Sequence, residues 1–232
     1  MSAAAQVSPS LRASWQAGLH GARANVLPGL ALQAGALALV LAYYWHPPTR
    51  DLLGHIEAWR IEVGFASSVL TTAIFGGLLP VILLWSQPAT RDRYDARQAA
   101  ALILFWGYKG IEVDVWYRLM AVIFGEGLDW QTITLKSLCD QFIYCPFFAI
   151  PVTVVAYETI ESRFNLAAVA ADLRAGSWYW RRGLGVLVSS TVIWTPAVFI
   201  IYALPTALQL PLQNLVLCFY TLLVAHLTAR RH

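Results

Sequence analysis

Apolar residues run through this chain in blocks of membrane length, not at the short periods of a soluble helix or strand. Val26–Trp45 holds one strongly polar side chain, Gln33, and residues 63–85, 183–204 and 207–227 contain no Asp, Glu, Lys or Arg. Each meets the requirement of about 20 predominantly apolar residues for a hydrocarbon core about 30 Å thick. Residues 133–157 are similar but carry Lys136, Asp140 and Gln141 near their start and Pro146 and Pro151 inside. Those prolines predict kinks, which a bundle tolerates when neighbouring helices satisfy the freed carbonyls. Tyr43, Tyr44 and Trp45, then Trp85, Trp130, and Trp178, Tyr179 and Trp180 fall at the ends of these runs, as in an interfacial aromatic belt.

A sixth run, 98–124, has the same length but contains Lys109, Glu112, Asp114 and Arg118. One charge near the bilayer centre costs about 2.5 to 3.5 kcal/mol on insertion scales, so these four must be paired or hydrated. Lys109 and Glu112 stand at i,i+3, and Asp114 and Arg118 at i,i+4, the spacings that bring side chains together on a helix. The two pairs point to roughly opposite sides of that helix. Their formal charges cancel. Lys136 and Asp140 form a further i,i+4 pair, and Gln141 is expected to bond to the charged run near Gly110 to Asp114.

The pattern predicts an all-α fold, a polytopic transmembrane bundle of about six spans. Composition agrees, with 58% hydrophobic and 12% charged residues against roughly 25% charged in a soluble domain. Residues 1–62 form an N-terminal segment with the first span, and 63–232 a domain with the other five. Arg12, Arg23, Arg91, Arg93, Arg97, Arg163, Arg174, Arg181, Arg182, Arg230 and Arg231 fall on one side of such a bundle, and Arg50 and Arg60 on the other. The positive-inside rule then puts both termini in the cytoplasm. The net charge of +3 reports topology and gives no sign of a nucleic-acid partner. Within 158–182, Ile160, Phe164, Ala167 and Ala171 share a helical stripe, which fits either an interfacial helix or a polar linker.

Candidate chemistry is sparse. Cys139, Cys145 and Cys218 lie in spans without a CxxC, and the five histidines have no ligand spacing, so neither a disulfide nor a metal site is expected. No phosphate-binding, dinucleotide or hydrolase motif is present, and neither an enzyme nor a cofactor is expected. Fourteen Arg against two Lys, with abundant Ala, point to a GC-rich bacterial source.

Three motifs in order resemble those of a known family. GYKGIEVDVWY (107–117) is similar to the glycine-x-x-glycine-proline-x-x-histidine-x-tryptophan-tyrosine segment of the family of the peroxisomal 22-kilodalton membrane protein and Mpv-seventeen, with Gly107, Gly110, Trp116 and Tyr117 in register. KSLCDQFIYCP (136–146) resembles its lysine-x-x-x-aspartate-glutamine run followed by proline, and WTPAVFIIYALP (194–205) its tryptophan-threonine-proline run, one residue shorter. The resemblance covers 63–232, which makes Val26–Trp45 an addition. Ile111 replaces the family's proline, Asp114 stands at its histidine or glycine position, and Val198 and Ile201 stand where it has glutamine and asparagine.

This resemblance implies an integral membrane protein with relatives proposed to form pores for small solutes. It places the chain in the bacterial inner membrane or, alternatively, the mitochondrial inner or peroxisomal membrane. The partners implied are the lipid bilayer and small solutes or ions, with a homo-oligomer compatible. It carries over no catalytic residues. Two accounts of the polar residues compete. In one, Lys109, Glu112, Asp114, Arg118, Asp140 and Gln141 line a hydrated path and set its selectivity. In the other, the same residues form ion pairs that lock a non-conducting, structural or stress-related bundle. Gly107, Gly110, Trp116, Pro146, Trp194 and Pro196 are assigned to helix packing and kinks.

Overall fold

The computed structural model describes residues 26–229, together with 15, 16, 19, 20 and 23. Arg12, Arg230 and Arg231, which enter the charge count above, lie outside the described residues, as does most of the N-terminal segment. The described residues are all-helical. Among them the main helices follow in order: α1 (Val26–Trp45), α2 (Pro47–Val63), α3 (Phe65–Ser86), α4 (Ala96–Phe124), α5 (Trp130–Glu161), α6 (Leu166–Arg174), α7 (Leu184–Tyr202), preceded by a π-helical turn at Tyr179–Gly183, and α8 (Thr206–Ala229).

Local chemistry sets the helix ends. Asp95 opens α4 with a capping box: its side chain accepts from the Gln98 amide at 2.8 Å, and the Gln98 side chain accepts from the Asp95 amide at 3.1 Å. Asp129 caps α5 by accepting from the Gln131 and Thr132 amides. Gly64, at φ +64°, makes the corner between α2 and α3 that a side chain would resist.

By length and composition α3, α5 and α7 can each cross a membrane. Gly29–Trp45 and Thr206–Phe219 are shorter apolar helices. α4 spans 29 residues, yet Arg97, Lys109, Glu112, Asp114 and Arg118 lower its hydropathy below that of the other three. Among the described residues three helices therefore meet the criterion, where the hydrophobic pattern predicts about six spans.

Residues 46–62, read as an exterior loop, instead form α2. Pro47 at its first turn supplies a pre-set helical φ, and Leu53, Ile56 and Arg60 form an inward stripe at i, i+3 and i+7. The stripe predicted across 158–182 is interrupted. α5 ends at Glu161, Arg163 and Phe164 take positive φ values of 56° and 63°, and Asn165 caps α6 by accepting from the Ala168 amide. Ile160 and Phe164 thereby pack beside Tyr94, separated from Ala167 and Ala171 on α6.

Inter-helix bonds give the directions. Gln33 donates to the Ile193 carbonyl and Tyr44 to that of Ala203, so α1 runs parallel to α7. Gln98 donates to the Ile160 carbonyl and Trp116 to Asp140, so α4 and α5 are antiparallel. α3 and α4 pack closest. A Cβ on Gly77 would stand 2.7 Å from the Ile103 Cα, and one on Gly110 would collide with the Ser68 carbonyl oxygen. Widened π-helical stretches interrupt α3 at Ala73–Leu78 and α5 at Asp140–Ala149, the latter around Pro146, which has no amide hydrogen to donate.

Side-chain distribution is inverted relative to a soluble protein. Leu104, Val122, Phe142 and Phe147 are 67–82% exposed, while Asp114, Lys136 and Asp140 are 1–6% exposed. Such an outer surface suits hydrocarbon. The main apolar core gathers Val113, Tyr117, Met120, Tyr144, Ile201 and Tyr202 between α4, α5, α7 and α8, and a smaller one surrounds Val81, Tyr94 and Leu102 toward the other end.

Candidate functional site

Most of the buried charged residues fall into three groups, of which the second and third touch. In the first, Asp114 of α4 sits among α2, α3 and its own helix. Its Oδ1 accepts from Arg60 Nη2 at 2.9 Å and its Oδ2 from the Ser68 hydroxyl at 2.6 Å. Arg118, one turn on, reaches Asp114 at 3.3 Å. The pairing read from i,i+4 spacing is thus present but secondary. The Arg118 side chain is half exposed and lies over the Phe65 ring, whereas Arg60 is 2% exposed. Arg60 Nη1 donates to the Ala207 carbonyl, and its Nε has no partner.

On the other side of α4, the Lys109 ammonium donates to Glu112 and, at 3.3 Å, to the Tyr144 hydroxyl. Tyr144 of α5 in turn donates to Glu112 at 2.8 Å. Glu112 Oε2 has no partner; a buried polar atom left unpaired costs about 1 to 3 kcal/mol.

The third group centres on Asp140, where the π-helical stretch of α5 begins. Trp116 Nε1 and the Tyr202 hydroxyl each donate to its Oδ2 at 3.1 Å, and Gln141 Nε2 donates to its Oδ1 at 3.3 Å. The indole of Trp116 stacks on Tyr144 at 4.8 Å, which couples this group to the second. Tyr117 packs edge-on against Tyr202 and donates to Gln213 of α8. Beside them Thr72 of α3 donates to Asn214, which donates to Thr71.

Two expected contacts are replaced by others. Gln141 is buried but accepts from Thr195 of α7 at 3.1 Å instead of bonding to α4. Asp140, one position earlier, makes the α4 contact. Lys136 and Asp140 form no ion pair; the ammonium lies 6.0 Å from the Tyr202 ring, and Lys136 is 2% exposed. The turn from Lys136 to Asp140 is itself α-helical, with the Asp140 amide bonded to the Lys136 carbonyl; the Asp140 carboxylate is taken up by Trp116 and Tyr202 from other helices instead. Trp194 packs against the main core, Pro146 lies in the widened stretch, and Pro196 is exposed on α7, where Ala197 and Val198 face inward.

Sequence reasoning missed Arg60, Ser68, Tyr144 and Tyr202. Arg60 was legible as the polar member of an otherwise apolar inward stripe on α2. The hydroxyl partners had no spacing signal, because they come from helices distant in sequence.

Tyr94 and Asp129 lie outside the spans. Burial pushes the Tyr94 hydroxyl, which donates to Glu161 at 3.0 Å, up to about 12. Hydrogen bonds from the Thr132 amide and hydroxyl hold the Asp129 carboxyl below its ordinary value. Among the described residues no cluster of three His, Cys, Asp or Glu side chains gathers. Compared with known proteins, the chain matches no family model, no curated protein and no solved structure.

Proposed function

We propose that the chain is a multi-pass integral membrane protein in which the polar seam among α3, α4, α5, α7 and α8 is a pathway for small polar solutes or ions, held shut in this conformation. The observation that carries this reading is the seam itself. Lys109, Glu112, Asp114 and Asp140 are buried or nearly so within a bundle of apolar helices, and side chains from neighbouring helices hold them. Bonds between side chains can exchange for water without unwinding backbone. Ionisable residues kept inside a membrane domain at a cost of kilocalories each ordinarily mark such routes.

In this reading α1, α3, α4, α5, α7 and α8 cross the bilayer, α2 and α6 lie along opposite faces, and both termini are cytoplasmic. The parallel course of α1 and α7 and the antiparallel course of α4 and α5 support that arrangement. Burial of Arg60 leaves Arg50 as the exterior loop's remaining cation, which sharpens the charge asymmetry. The likeness to the family of the peroxisomal 22-kilodalton membrane protein and Mpv-seventeen belongs to the same proposal, with the bacterial inner membrane as location and no catalytic role.

A second reading, a non-conducting structural bundle, is favoured by the closure of the pairs: Asp114 and Asp140 are 1% and 6% exposed, and each is held by side chains from two other helices. Osmotic swelling of proteoliposomes in small polyols separates the two. The pathway reading predicts swelling faster than in empty liposomes, altered by Asp140→Asn. Equal rates for empty, wild-type and variant liposomes, with insertion and folding verified, would support the structural bundle.

A further inference from the structure

A cavity of about 330 Å³ lies between α1, α2, α3 and α8, beside the seam. Its size falls at the lower end of the range of about 300 to 1,000 Å³ common for ligand sites. Leu53 and Ile56 of α2, Phe75 of α3, and Leu208, Leu212 and Leu215 of α8 supply most of its apolar wall. The polar lining consists of Arg60, Thr71 and Asn214. Thr71 donates to the Ser67 carbonyl and accepts from Asn214, and Asn214 accepts from Thr72, so both engage the protein. Arg60 differs. It is 2% exposed and its Nε–H has no partner.

We propose that this cavity binds a single-chain carboxylate amphiphile, a fatty acid whose acyl chain lies among the leucines and whose carboxylate accepts from the Arg60 Nε–H. The charge around Arg60 is unbalanced in the required direction. Asp114 stands between Arg60 and Arg118, two cations against one anion, and of the three only Arg60 lines the cavity. Water is a poor occupant for this corner, because it needs two to four polar partners and the wall is mainly apolar. A neutral chain would leave the Nε–H unpaired, and a cationic head would meet Arg60 directly. The size of the cavity selects one acyl chain over the two of a phospholipid. The inference does not depend on whether the seam conducts.

Trp59 also lines the cavity and provides the readout. Purified protein in detergent is titrated with a dibrominated stearic acid, whose bromines quench nearby indoles, and the bound probe is displaced with palmitate, palmityl alcohol or phosphatidylglycerol. The site predicts saturable quenching that contains a component missing in Trp59→Phe. Palmitate should displace the probe about tenfold better than the alcohol, the worth of one charge-assisted hydrogen bond. Leu215→Phe, which fills the cavity and leaves Arg60 in place, should weaken probe binding without lowering the melting temperature. Arg60→Lys, where it folds, should abolish the preference for acid over alcohol. Equal displacement by acid and alcohol, unchanged binding in Leu215→Phe, or phosphatidylglycerol outcompeting palmitate would each overturn the assignment.

Discussion

Arg60 and Ser68 reach Asp114 from two other helices, and this makes the two arginines at the site unequal. Arg118 is half exposed and its ion pair is hydrated, so Arg118→Gln should cost about 1 kcal/mol or less. Arg60→Met strands a buried carboxylate and should cost about 3 to 5 kcal/mol, much of it recovered when Asp114→Leu is added. Chemical unfolding in detergent of the single and double variants measures both; comparable losses for the two arginines would contradict the assignment. Gly110 makes a second prediction at this scale. A methyl group there meets the Ser68 carbonyl, part of the backbone that carries the Asp114 partner, so Gly110→Ala should destabilise by about 1 to 3 kcal/mol. A neutral Gly110→Ala would mean that α3 and α4 are not in such close contact. The charged run and its i,i+4 partner were legible in the sequence, because both are local. The pairing of Arg60 with Asp114 was not, because the two lie 54 positions apart and only the fold brings them together.

At the scale of elements, apolar length carried most of the information. Val26–Trp45 forms the helix the pattern predicts, and the other long helices begin and end within a few residues of the expected runs. α2 escaped notice because Arg50, Asp51, His55, Glu57, Arg60 and Glu62 dilute its hydropathy, although its inward stripe has helical spacing. The Asp140 and Gln141 contacts differ from those expected because partners on other helices, Trp116, Tyr202 and Thr195, take them up. The loop between α3 and α4 provides an element-scale test through pH. Tyr94 docks this loop on the end of α5 by donating to Glu161, and burial pushes its hydroxyl from about 10 in the unfolded chain to about 12. The folded state therefore favours the neutral phenol. Its stabilising contribution is complete below about pH 10 and is lost as pH rises toward 12. Wild-type melting temperature should fall more steeply than that of Tyr94→Phe across this window; parallel profiles would show that the hydroxyl is not buried as described.

For the whole molecule, outward-facing leucine, valine and phenylalanine around inward-facing ions make a bundle whose described surface suits a low-dielectric surround. Reporter fusions after Trp45 and at the C-terminus should report opposite sides of the membrane, as the six-span arrangement requires, and matching sides would contradict it. The partly neutralised seam of such a bundle would admit solutes only when its pairs exchange for water. Single-channel recording of purified protein in planar bilayers tests this claim most directly. The account predicts discrete openings whose reversal potential under a salt gradient shifts when Asp114→Asn or Asp140→Asn removes a negative charge from the seam. Folded, inserted wild-type protein that gives no openings at any voltage, with neither variant conducting, would contradict it.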